Sequence, residues 1–92
     1  MTEEKLESIN VLIRRIDQIR HIIRGLEKIK QEGLKGILFY SDLKSGSGSQ
    51  FSIEVGLDTA NIPQNVAELF LEGVLSLQKS RLQQLEAEFK AL

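Results

Sequence analysis

The chain contains no cysteine and a single histidine, His21. Disulfides and thiol chemistry are therefore excluded, and the common zinc sites built from cysteine and histidine cannot be assembled. No apolar run approaches the roughly 20 residues that cross a bilayer, and the start Met1-Thr2-Glu3-Glu4-Lys5 is polar and acidic, unlike a secretory leader. A cytoplasmic protein with no membrane partner is the expectation. Catalytic motifs, metal-ligand sets and nucleotide fingerprints are missing as well. What is there is 92 residues, enough for one domain over 1–92 but near the size at which a lone core buries only part of its chain.

The net charge of -1 is unevenly spread. Residues 14–36 set Arg14, Arg15, Arg20, Arg24, Lys28, Lys30 and Lys35 against Asp17, Glu27 and Glu32, whereas the stretch before it and residues 54–92 are acidic. A basic centre thus lies in the first half of the chain.

Apolar spacing divides the sequence into three parts. Ile9, Leu12, Ile16, Ile19, Ile23 and Leu26 alternate three- and four-residue steps, which is the seam of a helix predicted over about 3–32, with Leu6, Ile13, Ile22 and Ile29 widening it. That width calls for more than one neighbour. Gly33 suits a left-handed cap, and the acids Glu3, Glu4 and Glu7 with Lys28 and Lys30 match the helix dipole. Over about 36–57 the period falls to two, with Phe51, Ile53, Val55 and Leu57 alternating with polar or small residues, and Ile37 to Tyr40 forming the partner strand of an antiparallel hairpin. Such a ribbon is marginal alone, so it should lie on the helices or pair its edge with another subunit. A second helix is predicted over about 62–92, with Pro63 in its first turn and Asn61 beside the cap. Along it Val66, Leu69, Phe70, Val74 and Leu77 share one sector, while Leu71, Leu75, Leu82, Leu85 and Phe89 are turned by about a quarter-turn. One sector should meet the first helix and the other a further surface. The fold class that follows is α+β, a helix, an antiparallel β-hairpin and a helix, assembled as a homo-oligomer.

Candidate site residues come from the basic stretch. Arg20 and Arg24 are like charges one helical turn apart, a slightly destabilising pair. Two readings stay open. Arginine forks suit phosphate, and subunit packing could gather Arg14, Arg20, Arg24 and Lys44 into an anion site. Alternatively the arginines form a solvated face with local pairing, since Asp17 stands three residues from Arg20 and four from His21. The Ser/Gly segment 44–49 shares the composition of phosphate cradles, but a strand follows it instead of a helix, and it reads as a hairpin tip able to close over a ligand. Glu68 and Glu72 stand one turn apart without the Glu-x-x-His partner of di-metal bundles, so they read as structural charge. Tyr40, Ser41 and Asp42 point to alternating faces of a strand, which denies them the convergence of a nucleophile and base. No metal, cofactor or catalytic residue is assigned, and an enzyme is not expected. One basic stretch beside an acidic C-terminal half also argues against nucleic acid.

The element order is similar to that of a prefoldin subunit, although these helices are shorter than prefoldin tentacles. In texture, Ile53-Glu54-Val55 through Ile62-Pro63 and the ending Leu82-Gln83-Gln84-Leu85-Glu86-Ala87-Glu88-Phe89-Lys90-Ala91-Leu92 look like small phage-encoded proteins of unassigned role. Among such proteins, the resemblance points to the sponges that sequester nucleotide signals of bacterial immunity. No sponge motif maps residue by residue, so the resemblance assigns no site residue. The expected function is a non-enzymatic oligomer holding a small anionic, nucleotide-type ligand at a basic inter-subunit site. The alternative is a protein-protein adaptor or inhibitor that presents helix 2, through Leu71, Leu75 or Leu82, or the hairpin edge to a host protein.

Overall fold

The computed structural model describes residues 2–42 and 50–92, leaving out the side chains of Asp42 and Gln50. The order is α1 (Glu3–Glu32), β1 (Gly36–Asp42), β2 (Gln50–Gly56) and α2 (Gln64–Lys90). The α+β reading and the helix-hairpin-helix order are thus met. The second helix is shorter than the predicted 62–92 by about a turn in total.

Local chemistry explains each boundary. The Thr2 hydroxyl accepts a hydrogen bond from the Lys5 N–H at 3.2 Å, capping α1, and Glu3 and Glu4 follow in the first turn where the dipole favours acids. Gly33 ends the helix at φ 99° and ψ 128°, its N–H donating to the Ile29 carbonyl at 2.8 Å. The positive φ is as expected of glycine, but ψ is extended, so the chain leaves directly into β1 instead of curling back over the helix end. After β2 a turn brings the Ile62 N–H to the Leu57 carbonyl at 2.9 Å. Asn61 occupies the left-handed region there at φ 55°, a conformation asparagine tolerates better than most residues. Pro63 stands one position earlier than expected, as the residue before α2. Its carbonyl accepts from Val66 and Ala67 at 3.1 and 3.2 Å, and no side chain caps the helix.

In the hairpin Ile37 opposes Val55, Phe39 opposes Ile53 and Ser41 opposes Phe51, which gathers five apolar side chains on one face. The tertiary packing, however, joins β1 to β2 and α1 to α2 without laying the hairpin along either helix. The expectation that the ribbon lies on the helices is therefore corrected. It stands away from them, and the molecule measures 55 × 38 × 16 Å. Only the root is anchored: Leu34, Leu57, Ala67 and Leu71 form a buried cluster, with Leu26, Ile37 and Ile62 packed against it. Farther along, Ile16 and Ile23 of α1 face Leu75 and Leu85 of the antiparallel α2 in a narrow seam. These inward residues correct one sector assignment. Leu71 and Leu75, expected as adaptor contacts, are buried inside the subunit, and Leu82 is half-buried.

Leu85 is completely enclosed and Ala67 is 1% exposed. Leu85→Ala should lower unfolding free energy by about 2–5 kcal/mol through the cavity it leaves. Ala67→Leu should cost about 1–3 kcal/mol by overpacking. Urea unfolding at fixed protein concentration checks both.

Candidate functional site

The two helices touch along one line, and the flanks of that line differ in chemistry. On one flank three cross-helix ion pairs close the seam: Arg20 Nη2 to Glu86 Oε2 at 3.8 Å, Lys79 Nζ to Glu27 Oε1 at 4.0 Å, and Lys30 with Glu72. All six side chains are about half exposed, so solvent screens each pair and each contributes little to stability. The hydrogen bond that Lys30 donates to the Glu72 carboxylate, and then that carboxylate's charge, hold the ammonium above the ordinary lysine value of 10.5, with Glu27 and Glu68 adding smaller pulls. Arg20 and Glu86 also border a cleft of about 250 Å³ floored by Ile13, Ile16 and Phe89.

Among the described residues the other flank has no such pairs. Ile29 of α1, Phe70 and Val74 of α2, and Ile37 at the hairpin root line an apolar cleft of about 190 Å³. Ile22 continues this surface along α1, and the groove over α2 bordered by Leu69, Phe70, Gly73 and Leu77, about 580 Å³ and open to solvent, continues it outward. Because Ile37 belongs to the apolar face of the hairpin, the same surface runs on to Phe39, Ile53 and Phe51, each more than half exposed.

The predicted arginines are placed as follows. Arg14, Arg20 and Arg24 are all exposed on α1. At about 100° per residue Arg20 and Arg24 stand about 40° apart around the helix, while Arg14 is turned about 120° from Arg20. One subunit therefore does not bring the three together. Asp17, the local partner expected from spacing, makes no ion pair among the described residues, and Arg20 reaches across to Glu86 on α2 instead. Arg14 and Arg24 form none there either. Lys44 and the segment 44–49 lie outside the described residues. Glu72 is engaged by Lys30, and among the described residues no three metal-ligating side chains gather. No described helix is long and apolar enough to cross a membrane.

Sequence reasoning missed the cross-helix pairs. Glu27, Glu72 and Glu86 find their cations 42 to 66 residues away through the antiparallel register, and no local spacing encodes that register. The outward apolar sector of α2 is visible in the sequence as a sector, together with an uncharged arc through Val66, Leu69, Gly73, Leu77 and Ser80. No protein family, curated protein or solved structure matches the chain.

The raised Lys30 pKa carries a sign. Its contribution to stability is complete below the ordinary lysine value and is lost as pH climbs through the higher folded-state value. Lys30→Met should abolish that alkaline component of the stability profile. Chemical unfolding of both proteins from pH 7 to 11.5 checks this.

Proposed function

We propose that the chain is a non-enzymatic binding protein that works as a homo-oligomer and holds a small anionic ligand, of nucleotide type, between subunits. The observation that carries self-association is surplus surface. The chain exposes 7506 Å², whereas a compact monomer of 10.4 kDa exposes about 5,400 Å² by the area–mass relation of folded proteins. The difference, roughly 2,100 Å², falls in the range of about 1,000–2,500 Å² that each subunit of an obligate assembly buries.

Support for an anionic ligand is narrower than the basic stretch suggested. Arg20 is paired with Glu86 across the helices at 3.8 Å. Arg14 and Arg24 remain exposed and outside the ion pairs of the described residues, and they diverge within one chain, so a shared site takes them from different subunits. A phage sponge for immune nucleotides, the resemblance noted in the sequence, is a protein of this kind. The expected result is a multimer at low micromolar concentration by light scattering, stabilised by a nucleotide second messenger by about 2.7 kcal/mol at 100 times its Kd, with the effect lost in Arg14→Ala/Arg24→Ala. A multimer that gives no calorimetric signal and no thermal shift with any such nucleotide removes the ligand. A stable folded monomer removes the assembly.

One observation favours a second reading, a protein-protein adaptor: the hairpin stands off the helices with Phe39, Phe51 and Ile53 exposed on one face. Strand addition or face packing by a different protein would use that surface. In that case Phe51→Ser/Ile53→Ser abolishes capture of a defined partner in a pull-down, whereas the arginine variant captures it normally.

A further inference from the structure

We infer that the outer face of α2 docks on α2 of a second copy of this chain, antiparallel, about a two-fold axis passing at Gly73. The inference rests on the self-association reading and assigns that association to a particular surface.

The strongest evidence is where the most exposed apolar side chains lie. Leu69 at 71% and Leu77 at 70% exceed every other large hydrophobic among the described residues, and both border the open groove over Gly73. They stand four residues before and four after that glycine. An antiparallel two-fold at Gly73 therefore lays Leu69 of each copy against the partner's Leu77. The same operation opposes Val66 to the partner's Ser80 and Phe70 to the partner's Ser76, so at these two steps a bulky side chain meets a small one, which favours close helix packing. A closed two-fold contact needs such self-complementarity, because one patch supplies both sides.

Charge fits the same occupant. The acids and the lysine that close the seam with α1, namely Glu72, Lys79 and Glu86, lie on the ion-pairing flank. The arc through Val66, Leu69, Gly73, Leu77 and Ser80 carries no charge. Gly73 is costly within a helix, and within the subunit nothing comes within 4 Å of where its Cβ would be. Packing inside the chain gives no reason for a glycine there, whereas close approach of a second helix does. The surplus area decides between a second copy and an occasional partner, since a subunit short of core needs a cover whenever it is folded.

The chain has no cysteine, so single cysteines report the geometry directly. Gly73→Cys places two thiols at the axis, within the 4.4–6.8 Å Cα separation of a disulfide, and should oxidise to a linked dimer. Ser80→Cys thiols are separated by about 21 Å at 1.5 Å per residue and should stay free. Leu69→Glu and Leu77→Lys, both at exposed positions, should each dissociate the assembly, and combining them in one chain should restore its mass, since each Glu then faces the partner's Lys. An oligomer that links through Ser80→Cys as readily as through Gly73→Cys, or keeps its mass in both single variants, overturns this interface and leaves self-association standing. A wild-type chain that is monomeric by light scattering overturns both.

Discussion

Two antiparallel rods meet along a single line, and each can turn only one stripe of side chains into it. That geometric limit governs the rest of this molecule. Ile16, Ile23, Leu75 and Leu85 fill the line, and the core broadens only where the hairpin root adds Leu34 and Leu57 to Ala67 and Leu71. Ile22, Ile29, Phe70, Leu69 and Leu77 are left exposed outside it. At 16 Å in its thinnest dimension, the subunit is little thicker than one helix with its side chains, about 10–12 Å. There is no second layer to cover what the first leaves out.

The flanks are then unequal by composition. One is sealed by cross-helix pairs that contribute little energy each but occupy Arg20, Lys30 and Lys79. Two of the seven cations of the basic centre, Arg20 and Lys30, are thereby engaged in finishing the fold. On the other flank Ile22, Ile29, Phe70 and Leu77 lie exposed beside the apolar face of the hairpin.

The hairpin follows the same logic at smaller scale. Two strands without a covering layer are marginal in water, and only the Ile37–Val55 end is half-buried against the root cluster. Toward the tip, Phe39, Ile53 and Phe51 keep their alternation but have nothing among the described residues to face. The sheet is therefore built by local pairing and would be stabilised by whatever covers its apolar side.

By itself the sequence determined the elements: α1 runs over the residues its heptad seam marks, the strands fall where the period drops to two, and Gly33 and Pro63 punctuate the helix ends. Those signals are local, resting on backbone sterics, capping and side-chain periodicity within a few residues. Only the tertiary structure decided which of the two apolar sectors of α2 faces inward, why Arg20 finds Glu86 and not Asp17, and that the hairpin stands clear. These outcomes depend on the rotation and register of α2 against α1. The backbone directions at Gly33 and through the turn at Asn61 set them, and sectors rich in similar aliphatic residues gave spacing no means to rank one above the other.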